Sequence, residues 1–157
     1  MTVTNAMRLL TQAGIPFETS EYPVDESDLS GVHAAEMLGV DADCVFKTLV
    51  VRGERKGICV FVIPVAEELD LMRCAAAMGD KKVEMIHVRE LLGLTGYIRG
   101  GCSPIGMKKK CPTYIDEIAT LFDRIYVSAG QRGQQLILNP EDLRAYTSAA
   151  FCDLTRY

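Results

Sequence analysis

The sequence predicts an α/β fold in which helices surround a mixed sheet. Three observations lead there. Two apolar runs, residues 44–51 and 58–65, flank the polar turn Arg52-Gly53-Glu54-Arg55-Lys56-Gly57, which is the pattern of a hairpin. Several other segments begin at a capping residue and end at a glycine, as helices do. Helical and strand segments are interspersed irregularly, which argues against a doubly wound parallel fold.

The elements follow in order. Thr4 or Asn5 caps a helix over 4–13 with Ala6, Leu9, Leu10 and Ala13 as its stripe and Gly14 as its stop. A strand is expected over 17–22, followed by an acidic, irregular loop over 23–30. Asp28 or Ser30 then caps a helix over 32–38 that stops at Gly39. The hairpin strands are apolar on both faces, which places them in the middle of a sheet covered on both sides. Asp70 caps a helix over 71–78 with Gly79 as its stop. A short strand over 83–86 precedes a helix over 88–92 ending at Gly93. Strands over 113–115, 125–128 and 135–138 lead to a helix over 140–146 opened by Asn139-Pro140. A last strand is expected over 151–155.

At 157 residues the chain reads as one domain, 1–157, and 48% hydrophobic content fills a substantial core. No apolar stretch reaches the roughly 18 residues of a membrane span. The N-terminus has no basic start and no apolar signal core, so a cytoplasmic protein is expected. A net charge of -4 argues against a sequence-blind nucleic-acid binder while leaving room for a local basic patch. The six cysteines contain no C-x-x-C pair, and the only histidines are His33 and His87, so no metal is expected.

Two features can carry chemistry. Lys47 stands in the middle of the first apolar run. Either its stem packs while its head reaches water, or it sits at the floor of a pocket and faces an anion or a carbonyl. The second feature is the run Gly96-Tyr97-Ile98-Arg99-Gly100-Gly101-Cys102-Ser103-Pro104-Ile105-Gly106, followed by Met107 and three lysines. Its glycines let backbone N–H groups approach an oxyanion, but it matches neither a Walker loop nor a dinucleotide fingerprint. A structural loop and a binding loop both remain open. Lys108, Lys109, Lys110, Arg99 and Arg132 are either phosphate contacts or a solvated edge. There is no G-x-S-x-G elbow. The turn Gly130-Gln131-Arg132-Gly133 can face the glycine-rich loop.

The order of these motifs resembles the YbaK family of free-standing aminoacyl-tRNA deacylases, relatives of the editing domain inserted in bacterial prolyl-tRNA synthetases. The motifs are Phe46-Lys47-Thr48-Leu49-Val50, Pro64-Val65 with Leu69-Asp70-Leu71, Lys81 to Met85, the glycine-rich loop with Lys108-Lys109, and Tyr126-Val127-Ser128 through Arg132-Gly133. The likeness covers nearly the whole chain. It implies a mixed, largely antiparallel, barrel-like sheet surrounded by helices, and no cofactor or metal.

It also implies a trans-editing hydrolase that deacylates mischarged Cys-tRNA(Pro), and Cys-tRNA(Cys) where accessible. Discrimination by about one methylene is worth roughly 1–3 kcal/mol, so a second, cleaving site adds the selectivity that charging lacks. By the resemblance, Lys47 positions the tRNA end and substrate, and Gly101 marks the loop whose backbone donors meet the oxyanion. Tyr22, Thr48, Gly100, Cys102, Ser103, Pro104 and Ser128 complete the substrate pocket. The substrate's own thiol is the implied nucleophile. The implied partners are mischarged tRNA and prolyl-tRNA synthetase, with no membrane and no DNA.

The chain departs from the family pattern in the shorter loop at 25–30, at Gln134-Gln135 where relatives sometimes carry an acid, and at Cys102 where an aliphatic residue is usual. Three other readings stay open: an Ala-tRNA(Pro) deacylase, a non-catalytic tRNA- or synthetase-binding module, and a Schiff-base lysine enzyme. Thr48 favours the cysteine reading over the alanine one, since alanine-specific relatives often carry Asn there.

Overall fold

Side chains that bond to the backbone set the N-termini of four of the helices. The structure, a computed structural model, describes residues 3–156. In order it contains α1 (Asn5–Gln12), β1 (Glu18–Glu21), α2 (Gly31–Leu38), β2 (Phe46–Gly53), β3 (Gly57–Pro64), α3 (Leu71–Met78) and β4 (Val83–Met85). Then come α4 (Val88–Thr95), β5 (Thr113–Asp116), β6 (Ile125–Ser128), β7 (Gln134–Leu138), α5 (Pro140–Thr147) and β8 (Ala150–Cys152). Thr4, Ser30, Asp70 and Asn139 each accept a backbone N–H at a helix N-terminus, as the sequence predicts. Gly39 and Gly79 end α2 and α3 in the left-handed conformation.

Among the boundaries that differ from expectation, three have a clear cause. Helix α4 runs through Gly93 and stops at Gly96, whose N–H donates to Leu92 C=O at 2.8 Å. A glycine inside a helix costs about 1 kcal/mol, which does not by itself break one. Strand β2 begins at Phe46, because Asp41 accepts the Asp43 N–H and folds Ala42–Cys44 into a short 3-10 turn. Strand β8 ends at Cys152, where the Asp116 carboxylate draws in the Leu154 N–H at 3.1 Å. Thr155 then pairs with Leu69 through an isolated bridge.

The strands form two sheets, in the orders β1-β7-β6 and β4-β2-β3-β5-β8. Four of the pairings are antiparallel, while β3–β5 and β5–β8 are parallel. The mixed, largely antiparallel character is therefore as expected. No closed barrel forms among the described strands: β2 and β6 share no ladder, only an isolated parallel bridge between Val45, just before β2, and Tyr126. Beyond that bridge β2 pairs with β4 only over residues 51–53. The edge of β2 between these two points is left open.

The central hairpin is covered on both faces. Phe46 and Val62 join one core with α1, β6, β7 and Leu143 of α5. Val51, Phe61 and Ile63 join another, against Cys74 and Met78 of α3. A smaller cluster of Ala35, Val45 and Val65 seats α2 at the open end of the hairpin.

Candidate active site

The open edge of β2 borders a cavity of about 390 Å³. In an antiparallel pair, alternate residues turn their peptide groups toward the partner strand. The Val65 N–H donates to Val45 C=O at 2.9 Å, so the odd-numbered residues of β2 face β3. The even-numbered ones face the other way, as the Ile86 N–H bond to Val50 C=O at 3.3 Å shows. Thr48 therefore turns its own N–H and C=O toward the cavity. This is why consecutive residues, from Val45 through Val50, all reach the lining.

Lys47 lines this space and is half-buried. Burial pulls its ammonium below the ordinary lysine pKa, with the carboxylates of Glu68 and Glu67 partly opposing that shift. It makes no ion pair among the described residues. Among the described residues Arg99 is the other cation on the lining, and no Asp, Glu or His lines it. Ser30 and Gly31, at the positive end of α2, lie on the same wall. The cavity is thus electropositive, with an apolar flank that includes Leu29, Leu49, Val65 and Leu91.

Of the residues singled out in the sequence, Tyr22, Lys47, Thr48, Gly100, Cys102 and Ser128 share this lining. Lys47 and Ser128 each lie two residues beyond the Val45–Tyr126 bridge. Gly101, Ser103 and Pro104 do not line it. The Gly101 N–H donates to Ile98 C=O at 3.0 Å, so it is already engaged. Ser103 is fully buried and its Oγ accepts the Ile105 N–H at 3.2 Å, a bond internal to the loop. Pro104 lines a separate cavity of about 200 Å³ beside α1 and α5. The N–H groups of Gly100 and Cys102 meet no protein acceptor among the described residues.

The glycine-rich loop and the 130–133 turn pack together. A Cβ on Gly101 would stand 3.1 Å from the Arg132 N and 3.2 Å from the Gln131 carbonyl carbon, so a side chain here would push the two loops apart by a few tenths of an ångström. Tyr97 wedges beneath both loops. A Cβ on Gly130 would meet its Cε1 at 2.8 Å, and its hydroxyl donates to Ile105 C=O at 2.5 Å. Burial pushes that phenol up to about 12. Burial also pushes the Cys102 thiol up to about 12, so it stays protonated at neutral pH and is no nucleophile there.

One lining residue, met in the sequence only as a departure from the family pattern, was given no place in the pocket there. Gln135 is buried on β7, paired with Ser128, and its Oε1 has no hydrogen-bond partner among the described residues. Thr48 Oγ1 is likewise buried without a partner. A glutamine at the start of the apolar run Leu136-Ile137-Leu138 was the available signal. Among the described residues no three His, Cys, Asp or Glu side chains gather as metal ligands, and no helix is long and apolar enough to cross a membrane.

An electropositive cavity without a protein base, built where two loops clamp an open strand edge, suits a site that binds an ester. The chain belongs to the aminoacyl-tRNA editing domain family, whose profile matches residues 29–146. It is 49% identical over 152 residues to an Enterococcus faecalis protein carrying the name Cys-tRNA(Pro)/Cys-tRNA(Cys) deacylase EbsC, covering 97% of this chain and 93% of that one. It is 31% identical over 121 residues to the proline–tRNA ligase of Shouchella clausii, where the match spans 77% of this chain and 21% of the ligase. A crystal structure described as a trans-editing enzyme for prolyl-tRNA synthetase superposes with a TM-score of 0.83 at 27% identity, covering 97% of each chain.

Proposed function

We propose that this chain is a trans-editing deacylase, acting as one editing domain, that cleaves the ester of mischarged Cys-tRNA(Pro) and of accessible Cys-tRNA(Cys). The observation that carries the reading is Lys47: a half-buried ammonium that, among the described residues, has no ion pair and shares its cavity lining with no carboxylate or imidazole. Such a site can attract a phosphate and polarise a carbonyl, but it has no side chain suited to activate water. A substrate bringing its own nucleophile fits it. The family assignment and the name of the Enterococcus faecalis relative point the same way.

The cysteine thiol attacks its own ester carbonyl. A C–S bond forms, the bond to the ribose oxygen breaks, and that oxygen takes up the proton the thiol gives up. A cyclic thiolactone leaves the tRNA. Attack within one bound molecule gains from proximity. The negative charge on the carbonyl oxygen is met by Lys47 and by N–H groups facing the cavity. Thr48, Gly100 and Cys102 supply those N–H groups; Gly101 acts instead by letting the loop close against Arg132. Tyr22 and Ser128 line the substrate side. Lys108, Lys109 and Lys110 are exposed and provide phosphate contacts for the tRNA. A chain of net charge -4 holds tRNA weakly by itself, so prolyl-tRNA synthetase supplies much of the selection for tRNA(Pro), in the cytoplasm.

A deacylation panel tests this. Cys-tRNA(Pro) should lose its amino acid far faster than Ser-, Ala- or Pro-charged tRNA(Pro), and added prolyl-tRNA synthetase should sharpen the preference for tRNA(Pro). Equal rates on cysteine and serine esters would remove the thiol from the mechanism. Fastest release of alanine would make this an alanine editor.

A further inference from the structure

Gln135 occupies the middle strand of the three-stranded sheet, between Ser20 on β1 and Ser128 on β6. It is 5% exposed, lines the cavity, and holds its Oε1 without a partner. Thr48 Oγ1 is a second buried, unpartnered oxygen on the same lining, and the Thr48 carbonyl faces that space as well. A buried acceptor left unpaired costs about 1–3 kcal/mol. Two such oxygens on one lining are explained when a ligand brings the missing hydrogens.

The cavity has no shortage of donors. Lys47, Arg99 and the free loop amides already answer the carbonyl and phosphate oxygens of an aminoacyl-tRNA end. What remains unmatched is a set of acceptors. The group on an aminoacyl ester that offers only hydrogens when protonated is the α-amino group. A carboxylate at position 135 would add a negative charge to the cavity that holds Lys47. A carboxamide accepts from the amine and leaves the lysine's charge unneutralised.

We infer that Gln135, together with Thr48, receives the α-amino group of the bound aminoacyl ester. The inference rests on the deacylase reading above and deepens it. Holding the amine fixes the orientation about Cα, which decides whether the side-chain sulfur lies over the carbonyl carbon. Gln135 is in this sense a substrate-positioning and specificity residue.

Two non-hydrolysable ligands test it by calorimetry: the cysteinyl amide of 3′-amino-3′-deoxyadenosine, and the corresponding 3-mercaptopropionyl amide, which lacks the amine. The unaltered chain should bind the amine-bearing ligand about tenfold more tightly. Gln135→Leu should bring the two affinities within about twofold by weakening the first alone, and Gln135→Glu should keep the preference. Where Gln135→Leu does not fold, Thr48→Val carries the same expectation. A variant that weakens both ligands equally, or that keeps the full preference, overturns the assignment. Deacylation of Cys-tRNA(Pro) is measured alongside. A chain that prefers the amine yet releases no cysteine sinks the deacylase reading and keeps this contact; one that releases cysteine with equal affinity for both ligands does the reverse.

Discussion

Arg132 donates its Nε–H to the backbone carbonyl of Arg99 at 2.8 Å, tying the turn after β6 to the loop that walls the cavity. The positions of Arg99 and Gly100 depend on that bond, because the loop has no regular structure of its own from residue 97 to 112. Arg132→Ala should lower kcat/KM for Cys-tRNA(Pro) by about tenfold. Its melting midpoint should stay close to that of the unaltered chain, since Arg132 lies outside the hydrophobic cores. Arg132→Lys should not restore the rate, because a point-charge ammonium lacks the fixed guanidinium fork. Steady-state deacylation with parallel thermal melts checks both.

Lys47 sets activity against stability. Its folded-state pKa lies below the ordinary lysine value, chiefly through burial. Between the folded value and the unfolded value of about 10.4, the unfolded chain binds more protons, so stability from this group rises with pH across that window. Below the window the full cost of the buried ammonium is present. Lys47→Met should therefore melt higher than the unaltered chain at pH 7, with the advantage shrinking as pH approaches about 10. The same variant should lose at least about a hundredfold in deacylation, the scale of removing an oxyanion donor. Melting curves across pH, set beside single-turnover rates, decide it.

Cys102 faces the cavity but is poorly placed to react. With its thiol pushed up to about 12 by burial, the thiolate fraction at pH 8 is on the order of one in ten thousand. Cys102→Ala should keep deacylation within about threefold, the residual loss coming from a small packing defect. Iodoacetamide at pH 8 should label Cys102 far more slowly than the partly exposed Cys44. Loss of activity in a well-folded Cys102→Ala would replace substrate assistance with a protein thiol.

Much of the fold was legible because its signals are local. Thr4, Ser30, Asp70 and Asn139 cap the helices that follow them, and Gly39 and Gly79 stop two of them, through bonds spanning only a few residues. The apolar hairpin announced its own burial. The division into two sheets was not legible, since it depends on where β2 leaves β4 and touches β6, residues far apart in sequence. The site divides the same way. Lys47 stood out as a charge in an apolar strand, whereas Gly101, Ser103 and Pro104 were grouped with Gly100 and Cys102 because the family resemblance marks the loop as a whole. A loop without regular alternation turns its neighbours in different directions, and three of these five face elsewhere. Gln135 was visible only as a departure from an acid in relatives, and its significance lies in a hydrogen bond it does not make.

Gly31 shows how the cavity depends on the core beneath it. It opens α2, and a Cβ there would lie 2.2 Å from Val65 Cγ1 and 2.6 Å from Val65 Cβ. Val65 is buried with Ala35 and Val45, so neither side has room to retreat. Gly31→Ala should destabilise the chain by about 1–3 kcal/mol, the usual cost of overpacking, which is a fall of a few degrees in midpoint for a domain of this size. Because Ser30, Gly31 and Ala34 also line the cavity, pushing α2 outward should raise KM more than it lowers kcat. Val65→Ala empties a buried site at its own cost but removes the contact at Cγ1 and leaves the one at Cβ, so the double variant should lose less stability than the sum of the two single losses. Urea denaturation of the two single variants and the double variant measures that coupling. Additive losses would mean that α2 is not held by this contact.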